Sequence, residues 1–299
     1  MKKQLILLAL AGLGAACQPQ AAQTTAATTA PNPAPAPLVV PAQATQVLPT
    51  LFTPADTLAP PQRALLRMHD LSQLWQNAER AEGPSPNPSF DGFFGPDRYR
   101  FGMVFNEVSR DPADPARYLV RGKCNYHKSK NIRPFSGTLT VRQLVELKYP
   151  GFVRSVLYPD TAGTLQGHLY TARAQLRLRE TPQANSGIFE GEVVLDFYVV
   201  PGQPANYVYV IGHEGYEDQL PTRGGKLLVR GNRLNVTTGQ VKSFLVGPEL
   251  GAIAPHIFKD FMLDERMGQI NPKYAKLGWN DYWQNDEWWA DSPNPSLSL

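Results

Sequence analysis

From position 99 to 246 the chain repeats with a period of two, and that alternation constrains the fold more than any other feature. Apolar and polar residues alternate over 99–108, 117–125, 135–148, 164–180, 187–200, 206–212, 226–230, 233–237 and 241–246. Such runs are the signature of strands with one face buried and the other in water. The breaks carry turn chemistry: Asp111-Pro112-Ala113-Asp114-Pro115, Gln183-Ala184-Asn185-Ser186, Pro201-Gly202-Gln203-Pro204 and Thr238-Gly239. Eight or nine consecutive strands with short connections predict a mainly β chain, folded as an antiparallel barrel or sandwich. The Gly-x-Trp signature that lipocalins carry near their first strand is absent, since Phe101-Gly102-Met103 stands in the corresponding place.

The hairpin spanning 164–200 can be registered by charge. Pairing residues whose numbers add to 369 sets Arg179 opposite Glu190, Arg177 opposite Glu192 and Arg173 opposite Asp196. The other face then matches Leu178 with Gly191, Leu176 with Val193, Ala174 with Leu195 and Ala172 with Phe197. One face is charge-complementary and expected in solvent, the other apolar and inward.

The flanks have other periods. After Pro60-Pro61-Gln62, the residues Leu65, Leu66, Met68, Leu71, Leu74, Trp75 and Ala78 recur at three- and four-residue intervals. They predict one amphipathic helix of about 20 residues, ended by Gly83-Pro84. Beyond 246 the alternation is lost, and four of the five tryptophans, Trp279, Trp283, Trp288 and Trp289, fall within eleven residues. Two readings fit this end: a segment clamped onto the sheet by aromatic burial, or an aromatic platform for sugar rings. Trp279 and Trp283 are candidate ligand-binding residues on the second.

The amino terminus explains the low charge. After Lys3 the next charged residue is Asp56; from Asp56 onward there are 27 basic and 26 acidic residues, a balance that gives no electrostatic case for nucleic acid. Met1-Lys2-Lys3 precedes a 12-residue apolar run, 5–16, which as a helix would rise about 18 Å and fall short of a ~30 Å hydrocarbon core. This is the form of an export signal. Leu13-Gly14-Ala15-Ala16-Cys17 resembles the lipobox of bacterial lipoprotein precursors, with the aliphatic residue four places before the cysteine where the pattern has it at three. The resemblance implies that Cys17 is acylated, for example with palmitate, and becomes the first residue of a membrane-anchored mature chain. Gln18, where inner-membrane proteins of this kind commonly carry Asp, favours the outer membrane. Positions 18–50 are Gln, Ala, Thr and Pro with seven prolines, the composition of an extended tether. The expected organisation is a signal peptide at 1–16, a tether at 17–55, a helix and loop at 56–98, a β domain at 99–246 and a packed C-terminal segment at 247–299.

Chemistry is sparse. With Cys17 acylated, Cys124 is the one thiol left in the mature domain, so no internal disulfide is expected and a small buried hydrophobe is the expected role. The spacing Cys124-x-x-His127 lacks the further ligands a metal needs. The densest polar cluster is His213-Glu214-Gly215-Tyr216-Glu217-Asp218; His213 and Glu214 are candidate ligand-binding residues there. Glu190 and Glu192 suit ion pairs on the charged hairpin face better than a glycosidase pair. No phosphate loop, dinucleotide fingerprint or Gly-x-Ser-x-Gly elbow is present, so no metal or cofactor is expected and no catalytic residue is nominated. The expectation is a non-enzymatic envelope lipoprotein that binds a glycan, an apolar small molecule or another envelope protein. The alternative is a secreted glycan-acting hydrolase using loop carboxylates and the tryptophan-rich end.

Overall fold

The computed structural model describes residues 52–53, 55–77, 90–148, 167–208, 220–223, 226–247, 250–254, 260–263, 269–282 and 288–290. Cys17, His213, Glu214 and Trp283, with the expected signal peptide and the tether composition, lie outside them. The described chain is mainly β, with nine antiparallel strands in one sheet and few helices. The strands are β1 Asp91–Phe94, β2 Tyr99–Asp111, β3 Asp114–Tyr126, β4 Asn131–Leu147, β5 His168–Glu180, β6 Gly187–Val199, β7 Asn206–Tyr207, β8 Leu227–Asn235 and β9 Val241–Gly247. Their order is β5-β4-β3-β2-β1-β9-β8-β6-β7, and β5 also pairs with β6, so the pairings of eight strands form a circuit that returns to its start.

Alternation places one set of side chains on a common inner face. Phe101 sits in the middle of that set, with ring centroids 5.2 Å from Phe94, 5.1 Å from Tyr126 and 6.0 Å from both Phe189 and Phe244. Met103, Leu139, Leu176, Val193, Leu195 and Val229 fill the space around these rings. Two bulges keep the phase. Asn106 is the extra residue that lets both Phe105 and Val108 point inward, and Arg142 does the same for Val141 and Leu144.

The N-terminal chain closes one end of the circuit. Helix α1, Pro60–Met68, sends Gln62 Nε2 to the Leu144 carbonyl (2.6 Å) and Arg63 to Asp114 (3.1 Å), while Arg110 Nη1 donates to the Leu66 carbonyl (2.8 Å). The helix is shorter than its periodicity predicts. His69 is extended, and the Asp70 carboxylate accepts from both the N–H and the hydroxyl of Ser72, which starts a separate turn, α2, Ser72–Trp75. Leu66, Leu71, Leu74 and Trp75 nevertheless all reach the common core.

The hairpin of β5 and β6 differs from the expected register by two residues. Arg177 faces Glu190, Ala172 faces Leu195 and Arg173 faces Val194, so every side chain keeps its face but not its partner. Two outer carboxylates are also buried, not solvated. Glu192 is clasped between Arg173 (2.9 Å) and Arg230, and Asp196 lies under the chain at Val208, Leu220 and Thr222.

Candidate functional site

The end of the circuit opposite α1 is made by the turns after β1, β3, β5 and β8. There the inner-face series runs on from apolar into charged residues. Glu180 continues Leu176 and Leu178; Arg133 is in phase with Phe135; Arg233 follows Leu227, Val229 and Gly231; Lys242 precedes Phe244. Strand geometry therefore converges five polar side chains, counting Tyr126, on the last layer of the core.

Glu180 is the hub. Its Oε1 accepts from Tyr126 Oη (2.6 Å) and Arg233 Nε (3.3 Å); its Oε2 accepts from Arg233 Nη2 (2.7 Å), Arg133 Nη1 (3.3 Å) and the Gly187 N–H (2.6 Å). Both arginines also donate to the Asn185 carbonyl, at 2.8 and 2.6 Å. The Asn131 amide, turned to satisfy both its ends, accepts from Arg133 Nε and Nη2. Burial pushes the Glu180 carboxyl up, but the Arg233 and Tyr126 hydrogen bonds and the two guanidinium charges more than reverse this and hold it below its ordinary value. Burial, with the negative charge of Glu180 beside them, drives the Cys124 thiol and the Tyr126 phenol well up, so both stay protonated. Above the network lies an open cleft of about 200 Å³, lined among others by Phe94, Asn235, Gln240 and Lys242.

A second buried cluster lies on the outer face. Asp91 accepts from Arg100 Nε (3.0 Å) and Nη2 (2.7 Å), and His127 Nε2 stands 3.4 Å from its other oxygen. Burial pushes Asp91 up; the Arg100 charge and the His127 contact outweigh it and bring the carboxyl down to about 2. The C-terminal segment covers this region. Tyr282 lies 5.5 Å from the Arg100 guanidinium, Trp288 meets His127 edge-on, and a Cβ at Gly102 would stand 2.6 Å from the Trp288 ring.

These placements decide several sequence readings. Trp279 is fully buried: Phe93 and Phe261 pack on its ring, and its indole N–H donates to the Arg98 carbonyl (3.0 Å). It clamps the segment to the sheet and presents no face to a sugar, so the platform reading loses it. Trp283, His213 and Glu214 fall outside the described residues. Cys124 belongs to the inner core whereas His127 lies against Asp91 and Trp288 on the outer side, so the Cys-x-x-His spacing does not bring a ligand pair together. Among the described residues no group of three or more His, Cys, Asp or Glu is placed to hold a metal ion. Glu190 and Glu192 each face arginines, at 2.9 Å for the Arg177–Glu190 and Arg173–Glu192 pairs. The residues that sequence reasoning missed are Tyr126, Arg133, Glu180, Arg233 and Lys242. The signal was present: a charged residue in phase with an apolar series at a strand end.

No protein-family model, curated protein or solved structure matches the chain.

Proposed function

We propose that this chain is a non-enzymatic, lipid-anchored binding module of the bacterial envelope, outer membrane rather than inner. On this reading the circuit of eight strands is a barrel, α1 is its amphipathic plug, and Cys17 with the following tether holds it to the bilayer. The observation that carries the reading is the state of the inner face. Aromatic and aliphatic side chains fill it, and four of the five polar groups at its open end, Tyr126, Arg133, Glu180 and Arg233, are already committed to one another. A carboxylate held low by two arginines is a poor general acid or base at neutral pH, and a thiol and phenol pushed up are poor nucleophiles. Such a barrel binds at its end and on its loops, not in a lumen.

The test uses the full-length chain expressed in a Gram-negative host. The wild type should partition with outer membranes and carry the mass of an acylated N-terminus. Cys17→Ser should be recovered in the soluble fraction. A Cys17→Ser chain that stays in the membrane overturns the anchor. Release of reducing sugar ends from cell-wall or capsular glycans overturns the non-enzymatic reading in favour of a glycan hydrolase.

A further inference from the structure

We infer that the cleft at the open end is a receptor site for an anionic sugar, a single ring bearing a phosphate or carboxylate, held by Arg233 and Lys242. The inference rests on the binding-module reading and names the ligand class.

The charge inventory comes first. Arg133, Arg233 and Lys242 line the cleft, and the carboxylate beneath them, Glu180, is already shared between the two arginines. Lys242 makes no ion pair among the described residues. It rests on aromatic faces, 5.7 Å from the Phe94 centroid and 5.6 Å from that of Tyr99. Lys128 lies on the same Tyr99 ring at 4.2 Å and donates to its hydroxyl. Lys242 and Arg233 are also direct partners in the β8–β9 ladder. Like charges set opposite each other on one face of a sheet are unfavourable unless something negative lies between them. Glu180 meets that need for the Arg233 edge formed by Nε and Nη2, which leaves Nη1 without an acceptor among the described residues. An anion between Nη1 and the lysine completes the arrangement. It would take a charge-assisted hydrogen bond from each side.

The neutral lining says what carries the anion. Asn235 uses its oxygen on the Thr237 and Thr238 N–H groups, which leaves its NH₂ to donate, and the Gln240 amide offers both a donor and an acceptor. Amides in this mixture match the paired donor and acceptor character of sugar hydroxyls. Phe94 and Tyr126 supply apolar surface for a ring face. The cleft, about 200 Å³, is smaller than the roughly 300–1,000 Å³ of pockets that take drug-sized ligands, which suits one ring and not an oligomer. The chain reaches the sheet at the opposite end, where Asp56 and Gln62 bond to β4.

Isothermal titration of the full-length chain at low salt, against glucuronate, glucose 6-phosphate, inorganic phosphate and glucose, tests this. The two anionic sugars should bind at least tenfold more tightly than either phosphate or glucose. Lys242→Gln should weaken them about tenfold, and Lys242→Glu should abolish binding, with the thermal unfolding midpoint of neither variant lowered, since both relieve the like-charge pair with Arg233. Wild-type affinity in Lys242→Glu overturns the site. Equal affinity for inorganic phosphate and glucose 6-phosphate overturns the sugar assignment, and equal affinity for glucose overturns the anion. Absence of binding by all four probes overturns the inference while leaving the anchor untouched. A bound probe that emerges chemically changed supports the site and counts against the non-enzymatic reading alone.

Discussion

Replacing Glu180 by Gln tests whether one carboxylate organises the open end of the strand circuit. The substitution keeps the shape and removes the charge. Six donors converge on the two carboxylate oxygens: the Tyr126 hydroxyl, the Cys124 thiol, Arg233 Nε and Nη2, Arg133 Nη1 and the Gly187 N–H. An amide offers one oxygen to this set and points its NH₂ at donors. Two largely buried guanidinium groups then lose their counter-charge. Removing one member of a buried ion network costs about 3–5 kcal/mol, because the remaining charges stay desolvated. In a domain of this size each kcal/mol moves the midpoint by about 2–4 °C, so the expected drop in Tm is roughly 6–20 °C. Circular dichroism melts and urea titrations of wild type and Glu180→Gln give the value directly. Replacing all three members together, Glu180→Leu with Arg133→Met and Arg233→Met, should recover most of the loss, since an apolar layer carries no desolvation penalty. A Glu180→Gln loss below ~1 kcal/mol, the worth of an ordinary hydrogen bond, refutes the hub. So does a triple variant no more stable than the single one.

Three other outcomes follow from the buried polar groups and the C-terminal clamp. Asp91 is depressed to about 2, so its stabilisation is complete above the unfolded value near 3.9 and is lost as pH falls through 2. Urea midpoints measured from pH 5 down to pH 2 should fall by an amount worth ~2 kcal/mol more in wild type than in Asp91→Asn, and parallel curves contradict the assignment. Asp196 is the opposite case: burial raises it, and three hydrogen bonds, from Thr171 Oγ1 (2.5 Å), the Thr222 N–H (2.9 Å) and Thr222 Oγ1 (2.5 Å), offset this only in part. Its contribution is full below the unfolded value and declines as pH rises toward the folded one, so Asp196→Asn should be at least as stable as wild type at pH 7; a clear loss by urea titration refutes this. Gly102→Val places atoms against the Trp288 ring, and tryptophan emission should shift to the red as Trp288 leaves its site on Val104; an unchanged spectrum means the segment yields without detaching.

How far the sequence reveals this architecture depends on how each element is covered. The long strands are legible because one face is buried and the other wet, which writes the period of two directly into the chain. Strand β1 is not. Asp91 to Phe94 are all buried, the inner pair by the core and the outer pair by the C-terminal segment, so Asp-Gly-Phe-Phe carries no alternation to read. The segments 226–230 and 233–237 read as two strands, yet β8 runs straight through the residues between them, with Gly231 facing Gly191 across the ladder. Parity in the β5–β6 hairpin is readable and the register is not, since direct charge pairing favours a register with three such pairs, whereas the observed one keeps only Arg177 opposite Glu190 and reaches Glu192 diagonally from Arg173. What selects between them is the strand end, where Glu180 takes the Gly187 N–H and closes the turn.

The same residues explain why the open end was hidden and why it is the place to look. A core that fills the inside of the strand circuit leaves no lumen for a ligand, so on the proposed binding reading the uncovered end is the place for one. Here α1 and its following turn occupy one end with Leu66, Leu71 and Trp75. At the other, three strands each carry one more inward residue than an apolar core can accept. Arg133, Glu180 and Arg233 come from parts of the chain about 50 residues apart, and no linear motif links them. Each looks, taken singly, like a strand fraying into solvent. Only the closure of the sheet shows that they face one another and that the cations outnumber the carboxylate. The excess has a structural consequence: any anion that enters the cleft stabilises the fold by mass action, RT ln(1 + [L]/Kd). Binding and stability at this end are therefore one equilibrium, and Glu180→Gln, which removes the internal anion, should bind an external one more tightly than the wild type does.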